Sequence, residues 1–316
     1  MIVLTGGAGF IGSNVLRELN LRGIDDVVVV DDLTDGRKFS NIVDAQFSEY
    51  LDKDEFRTAM QTNSSEFAEL DCVIHLGACS DTTEWDGKYM LDINYNYSKE
   101  MLDYCVARDI RMVYASSAAV YGLSSSFAEQ PENEMPLNVY GYSKLLFDRY
   151  VRKLPEEKQR NIAGLRYFNV YGPRESHKGK MASVFFHFHH QLERDGGLKL
   201  FAGSHGCDDG EHRRDFIYVD DAVDVTLWMV ENRGVSGIFN CGTGRAETFN
   251  QVARSVLSYH ESGELSYVPM PTQLHAAYQS YTCADLAALR KAGYSAEFLE
   301  VEQGARRYLD WLTGNI

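Results

Sequence analysis

Hydrophobic positions in the first half of the chain follow two alternating periods. Short apolar runs of strand length lie at 2–5, 27–32, 71–78, 111–118 and 162–172. Between these runs, apolar residues recur at helical spacing, as from Phe10 to Leu19 and from about Trp85 to Ala107. Strands that alternate with helices are typical of parallel βαβ crossovers. The pattern predicts an α/β fold with a doubly wound parallel sheet that helices cover on both faces.

The rhythm of the chain changes after residue 172. Helices are expected in the second half at 181–194, 248–259 and 299–312. We therefore expect a sheet domain over 1–172, to which elements from about 214–245 return, and a smaller, mostly helical substrate lobe over 173–316.

The charge of the chain excludes several classes of partner. The 316 residues carry a formal net charge of -15. Such a surface repels phosphate backbones and anionic lipid heads, so neither nucleic acid nor a membrane is an expected partner. An anionic ligand must instead be bound by a local pocket of cationic side chains.

The first residues and the cysteines indicate a cellular compartment. The run MIVLTGG lacks the charged segment and the cleavage site of a signal peptide, and no later apolar run approaches the length of a membrane span. The six cysteines include no CxxC pair, so we expect reduced core thiols. Together these features predict a cytoplasmic protein.

The stretch TGGAGFIG lies between the first predicted strand and the first predicted helix. It contains a G-x-G-x-x-G pattern at Gly7, Gly9 and Gly12, and Gly6 adds a second spacing. Glycines here permit a sharp turn and a close backbone approach to a pyrophosphate at the helix N-terminus. Asp31 ends the second strand at about the distance expected for a ribose-binding acid. The context predicts a Rossmann dinucleotide-binding domain.

The choice between NAD and NADP stays open on these residues. Asp31 favours NAD, because a carboxylate accepts the ribose 2′-OH and repels a 2′-phosphate. Arg37 and Lys38 follow in the next loop, where two cations could neutralise that phosphate. A solvated loop pair is the alternative interpretation of the two cations.

Tyr140 and Lys144 form the candidate catalytic pair. Their i, i+4 spacing places both on one face of a helix. A neighbouring ammonium and an oxidised nicotinamide ring favour the phenolate form of the tyrosine, which can then act as a base. Ser116 and Ser117 follow the end of a predicted strand, where ligands bind in such sheets, so a hydroxyl there can hydrogen-bond a substrate oxygen.

These motifs together resemble the extended short-chain dehydrogenase/reductase family, whose members oxidise, epimerise or dehydrate nucleotide sugars. Several longer blocks resemble, more narrowly, the ADP-L-glycero-D-manno-heptose 6-epimerases, which prepare heptose for the lipopolysaccharide core. The blocks are GACSDTTEWDGKYM (77–90), PLNVYGYSK (136–144), RYFNVYGPRESHKGKMAS (166–183), RRDFIYV (213–219) and FNCGTGRAE (239–247). The resemblance implies an isomerase that acts on an ADP-heptose, carries NADP rather than NAD, uses no metal, and forms a homo-oligomer, expected to be a pentamer.

The resemblance also implies roles for individual residues. The catalytic serine, tyrosine and lysine fall on Ser117, Tyr140 and Lys144, and a second acid/base lysine falls on Lys178, with Lys180 and His177 as its nearest rivals. The implied cofactor contacts are Gly6, Gly9, Phe10, Ile11, Gly12, Asp31, Asp32, Lys38, Lys53, Leu76, Gly77, Ala78, Cys79, Ser80, Ile93, Tyr140, Lys144, Val170 and Lys178. The implied substrate contacts are Asn169, Lys180, His187, Phe201, Ala202, Gly203, Ser204, Arg214 and Tyr278.

The chain departs from the family pattern at three positions near the expected cofactor. Asp32 stands where an asparagine is expected, Leu76 replaces a glutamate, and Ile93 replaces an asparagine. The acidic stretch at 204–212, expected to be an exposed loop, is also longer than usual.

The sequence also bears on two other activities and one non-catalytic role. A nucleotide-sugar 4,6-dehydratase needs an acidic pair directly after the active-site hydroxyl, and this chain has Ala118 and Ala119 there. A redox-sensing binder would not need the intact set of Ser117, Tyr140 and Lys144. A one-step reductase, which consumes its cofactor stoichiometrically, is the second candidate.

Overall fold

The computed structural model describes residues 1–62, 64–272 and 278–315. The strands are β1 (Ile2–Thr5), β2 (Val27–Asp31), β3 (Glu49–Asp52), β4 (Cys72–His75), β5 (Arg111–Ser117), β6 (Ile162–Tyr167), β7 (Asn169–Tyr171), β8 (Gly197–Phe201), β9 (Arg213–Arg214), β10 (Phe216–Tyr218), β11 (Gly237–Cys241), β12 (Glu247–Thr248) and β13 (Glu264–Val268). The α-helices are α1 (Phe10–Leu21), α2 (Lys53–Gln61), α3 (Gly87–Leu91), α4 (Tyr97–Ala107), α5 (Val139–Arg152), α6 (Glu156–Gln159), α7 (Val184–Asp195), α8 (Val219–Glu231), α9 (Phe249–His260), α10 (Ala287–Lys291) and α11 (Val301–Leu312).

Seven parallel strands form the main sheet in the order β11-β6-β5-β4-β1-β2-β3. Ile2 of β1 pairs with Val27 on one side and with Cys72 on the other. The chain therefore winds outward in both directions from β1, which makes the gap between β1 and β4 the topological switch point where ligands bind in such sheets. The prediction of a doubly wound parallel sheet is confirmed.

Alternate residues of the sheet strands feed two separate cores. Val3 and Val28 pack with Met101 of α4 on one face, while Leu4 and Val29 pack on the other. Successive strand residues point to opposite faces, so continuous valine and isoleucine runs are required where helices cover both sides.

A third core lies between α7, α9 and α11. Phe185 stacks on Tyr171 with ring centroids 3.9 Å apart, and both pack with Val252 and Tyr308. The strand pair β8 and β13 is parallel and joins this core through Leu198.

The predicted strand over 162–172 is two strands in the structure. The chain leaves the main sheet at Phe168, whose side chain is buried beside Tyr121 and Phe127, and β7 then pairs with β10. The strands β3 and β13 were not predicted, because most of their residues are exposed or only partly buried and carry no continuous apolar run.

No helix within 1–62, 64–272 and 278–315 is both long and apolar enough to cross a lipid bilayer. All six cysteines are free thiols, and Cys72, Cys105 and Cys241 are buried.

Candidate active site

A cleft of about 760 Å³ opens at the carboxyl ends of the central strands. Its walls come from the glycine loop after β1, the end of β2, the loop after β4, the end of β5, α5 and the segment from 167 to 184. The cleft therefore spans the switch point of the sheet and reaches Arg214 of β9.

The backbone of the glycine loop packs more closely than any side chain would allow. Gly6 has a φ of +69°, and a Cβ atom there would lie 2.6 Å from the amide nitrogen of Gly77. A Cβ on Gly12 would overlap the carbonyl oxygen of Gly6. Gly9 caps the N-terminus of α1. A backbone cradle at a helix N-terminus fits the pyrophosphate of a dinucleotide.

Asp31 and Lys38 form an ion pair at the far end of the cleft. The Nζ atom of Lys38 lies 2.6 Å from Oδ1 of Asp31, and the amide of Ala8 donates to Oδ2 at 2.8 Å. Both side chains are largely buried and line the cleft. This end can therefore present either a carboxylate or an ammonium to a ribose.

Three other expected cofactor contacts, Asp32, Lys53 and Ile93, lie off the cleft wall. The Nζ atom of Lys53 is 3.0 Å from Oδ2 of Asp32 and 3.3 Å from Oδ2 of Asp54, so these carboxylates already pair the lysine. Hydrogen bonds from Thr34, together with the Lys53 ammonium, hold the pKa of Asp32 well below its usual range. Ile93 is half-buried in the π-helical turn at 92–96.

The loop after β4 carries five of the expected cofactor contacts. Leu76, Gly77, Ala78, Cys79 and Ser80 all line the cleft.

Sequence reasoning missed the residue that holds this loop. The side chain of Asn94 accepts a hydrogen bond from the Cys79 amide at 2.8 Å and donates to the Cys79 carbonyl at 2.9 Å. Asn94 is fully buried in the π-helical turn, and it also donates to Ser143 of α5. Its position next to Ile93, in a segment expected to be an ordinary helix, gave no signal for this role.

Tyr140 and Lys144 both reach the cleft from the first two turns of α5. Burial raises the pKa of the Tyr140 phenol, and a hydrogen bond with Ser117 opposes that shift. Burial lowers the pKa of Lys144 to about 8, and its Nζ atom donates to the Ala115 carbonyl at 2.9 Å. The side chains of Ser117, Tyr140 and Lys144 therefore lie together, and burial shifts the pKa values of the tyrosine and the lysine.

The two neighbouring serines have different partners. Ser117 hydrogen-bonds Tyr140 and accepts the Ala119 amide at 3.1 Å. Ser116 donates to Oδ2 of Asp148 at 2.9 Å, below the cleft floor. Ser117 is thus the serine beside the tyrosine.

Lys178 lines the same cleft from a separate segment of the chain. It lies in the 3₁₀ segment Ser176–Met181, and its Nζ atom is 5.1 Å from the centroid of the Phe10 ring. Burial lowers the pKa of Lys178, and the Glu175 carboxylate opposes that shift. Glu175 is itself fully buried and accepts two hydrogen bonds from Ser183 at the start of α7. The lysine is held in a largely desolvated position, as a proton-transfer group requires.

His177 and Lys180, the rivals of Lys178, also line the cleft. His177 shares a 3.0 Å hydrogen bond with Asn41. Lys180 is exposed, and its Nζ atom lies 3.3 Å from Asp81 and 2.7 Å from the Thr83 hydroxyl. Lys178 differs from these two residues in that its Nζ atom lies over the Phe10 ring, which also lines the cleft.

Arg214 is a buried cation at the other end of the cleft. Its guanidinium lies over the rings of Phe249 and Tyr278, 5.7 and 5.1 Å from their centroids. Among the described residues no carboxylate pairs it. Asp215 instead accepts four hydrogen bonds from Thr243, Gly244 and Ala284.

The remaining expected substrate contacts divide into three groups. Asn169 lines the cleft, as does its neighbour Val170, which was expected to contact the cofactor. Phe201 lies beside Tyr278, with ring centroids 6.2 Å apart, and the following residues, Ala202, Gly203 and Ser204, lead into the predicted exposed loop. His187 is exposed on α7 and lines a separate pocket of about 310 Å³ instead of the cleft.

The model of the NAD dependent epimerase/dehydratase family matches residues 2–242. The chain belongs to this family. Its members bind a nicotinamide cofactor and act on nucleotide sugars. The matched residues include the glycine loop, the Tyr140 and Lys144 pair, Lys178 and Arg214.

Three solved structures similar to the chain extend this assignment. The Helicobacter pylori ADP-L-glycero-D-manno-heptose-6-epimerase is 28% identical, with a TM-score of 0.85, over 99% of this chain and 96% of that one. The Thermotoga maritima UDP-glucose 4-epimerase with UDP-glucose is 26% identical, with a TM-score of 0.77, over 99% of both chains. The Thermus thermophilus UDP-glucose 4-epimerase with NAD is 25% identical, with a TM-score of 0.79, over 100% and 99%. These epimerases share the fold of this chain, and their names give two different substrates, an ADP-heptose and UDP-glucose.

Proposed function

We propose that the protein is an ADP-glyceromanno-heptose 6-epimerase that interconverts the D-glycero and L-glycero forms through a ketone at C6. The observation that carries the proposal is one cleft lined by two proton-transfer candidates from different elements, Tyr140 of α5 and Lys178 of the segment Ser176–Met181. Inversion of a carbinol needs proton transfer in two orientations of the sugar, and two groups can serve both. The similarity to the Helicobacter pylori heptose epimerase supports the choice of sugar.

The residues of the candidate site can take the following roles in the reaction. When bound, the nicotinamide dinucleotide supplies a reversible hydride acceptor for the carbinol carbon. The Tyr140 phenolate takes the proton of the sugar hydroxyl, Ser117 orients that oxygen, and Lys144 favours the phenolate by its positive charge. Lys178 transfers the proton at the same oxygen when the sugar presents its other face.

The experiment that tests the function supplies ADP-D-glycero-D-manno-heptose to the purified protein without reductant. We expect conversion to the L-glycero epimer with no net change in reduced cofactor, because the redox changes of an epimerisation cancel. Consumption of NADPH or NADH mole for mole with product would identify a reductase instead.

A second substrate tests the identity of the sugar separately from the type of reaction. The two UDP-glucose 4-epimerases of similar fold are the observation that favours another nucleotide sugar. Conversion of UDP-glucose but not of the heptose would keep the epimerase assignment and reject the heptose.

We propose NADP as the cofactor, with Lys38 bound to its 2′-phosphate, while the Asp31 carboxylate is the feature that favours NAD. Lys38→Ala should weaken NADP binding at least about tenfold, or about 1.4 kcal/mol, because a charged partner of the phosphate is lost. NAD binding should stay the same or improve, since Asp31 is then free to accept the ribose 2′-OH.

Fluorescence titration of both cofactors measures this difference. Arg37→Ala is the matched control, because Arg37 is highly exposed and already bound to Asp35 at 2.7 Å. An equal loss of affinity for NAD and NADP in the Lys38 variant would reject a role for Lys38 in reading the phosphate.

We propose that Arg214 binds the diphosphate of the sugar nucleotide, since it is a buried guanidinium at the cleft without an acidic partner among the described residues. Arg214→Met keeps the packing between Phe249 and Tyr278 but removes the charge. The KM for the sugar nucleotide should rise about tenfold or more, with cofactor affinity unchanged. Arg213→Met, on the exposed neighbour, is the control. An unaltered KM for Arg214→Met would assign Arg214 a structural role.

A further inference from the structure

We propose that α7 carries a transition-metal site, formed by His189, His190 and Glu193 and selective for zinc-like ions. The three side chains offer two imidazole nitrogens and a carboxylate oxygen that all lie within 4.8 Å of one another. This cluster lies outside the candidate active site and has no part in the proposed reaction.

The helix geometry brings the three donors to one point. Glu193 is four residues after His189 and three after His190, so it is the common neighbour of both histidines on the helix surface. Nε2 of His189 lies 3.5 Å from Oε2 of Glu193, and Nδ1 of His190 lies 3.2 Å from the same oxygen.

These separations suit a bound ion. Tetrahedral zinc holds nitrogen and oxygen ligands at about 2.0–2.2 Å, which sets neighbouring ligand atoms roughly 3.3 Å apart. The two observed distances to the carboxylate oxygen, 3.2 and 3.5 Å, are close to this value, and the two imidazole nitrogens lie within 4.8 Å of each other. Imidazole donors select zinc, cobalt, nickel or copper over magnesium and calcium.

A fourth side chain supports the buried ligand. Nδ1 of His189 lies 3.1 Å from Nε2 of His260 on α9, and the two rings stack at 5.1 Å. If Nδ1 of His189 donates this hydrogen bond, the lone pair on its Nε2 atom points to the ion. A metal-bound histidine commonly donates its other ring nitrogen in this way.

The cluster also has an entry path and an open position. The side chain of His189 is 2% exposed, whereas those of His190 and Glu193 are 47% and 56% exposed. An ion can therefore arrive from solvent and complete its coordination with water.

Isothermal titration of the full-length protein with Zn²⁺, and with Mg²⁺ in parallel, tests the site. We expect one Zn²⁺ per chain, no comparable Mg²⁺ binding, and a higher thermal midpoint with Zn²⁺. His190→Ala and Glu193→Gln should each weaken Zn²⁺ binding at least tenfold, and both exposed positions tolerate substitution. His260→Ala should weaken it by about tenfold through loss of the supporting hydrogen bond.

His187→Ala is the matched control, because His187 is an exposed histidine of the same helix outside the cluster. Its Zn²⁺ affinity should equal that of the parent protein. Absence of stoichiometric Zn²⁺ binding overturns the proposal, and so does binding that the His190 and Glu193 variants leave unchanged, which would assign the ion to other residues such as the free cysteines.

Discussion

Tyr140→Phe and Lys178→Met should each reduce the rate of epimerisation by about 10²–10⁴, the range that general acid–base catalysis contributes. Both side chains line the cleft, Tyr140 from α5 and Lys178 from the segment Ser176–Met181. Removal of either proton-transfer group leaves one orientation of the ketone without its acid or base. Steady-state kcat in both directions measures the loss, and retained cofactor with an unchanged circular dichroism spectrum shows that the variants are folded.

Measurement of the half-reactions distinguishes the role of Tyr140 from that of Lys178. With a carbonyl analogue that presents only one face, each variant should keep the half-reaction that the other variant loses. Lys180→Met is the matched control, since this exposed lysine already pairs with Asp81 and Thr83, and its kcat should stay near that of the parent protein. If Lys178→Met epimerises at the parental rate, a single base suffices and the Lys178 segment serves only to bind an anion.

The sequence patterns predicted the strands and helices whose apolar residues recur at a regular period. Strand runs such as 2–5 and the helical spacing of Phe10 to Leu19 predicted the sheet, because burial on both faces demands continuous apolar strands. The edge strands β3 and β13 escaped prediction, because a strand exposed on one side needs few apolar residues.

The candidate site was predicted unevenly for a similar reason. Tyr140 and Lys144 could be placed together from helical spacing alone. The support given by Asn94 to the Cys79 loop depends on a π-helical turn, and the ion pair between Lys38 and Asp31 depends on a loop conformation. Neither the turn nor the loop follows from a periodic pattern. From the sequence alone, Lys38 was one of two candidate loop cations, the resemblance to a family singled it out, and Asn94 was missed.

A buried ionic network beneath the active site was also missed, and it yields the largest expected effect on stability. Asp148 lies one helical turn after Lys144 and accepts hydrogen bonds from Tyr114, Ser116 and Arg166. Glu134 also accepts from Arg166, whose side chain is fully buried together with both carboxylates. A charged helix residue usually indicates a solvated face, so the sequence offered no sign of this network.

Arg166→Met should lower the free energy of unfolding by about 3–5 kcal/mol, because it leaves two buried carboxylates without their shared guanidinium. Arg152→Met is the matched control, with a loss of about 1 kcal/mol, since Arg152 is partly exposed and Arg166 still pairs Glu134. Urea unfolding followed by tryptophan fluorescence measures both values. Equal losses in the two variants would mean that solvent reaches the carboxylates and that the network contributes little. Ser116 and Lys144 lie next to Asp148, so loss of the network should also position Lys144 of the catalytic pair less firmly. We therefore expect kcat of the Arg166 variant to fall at temperatures where the variant is still folded.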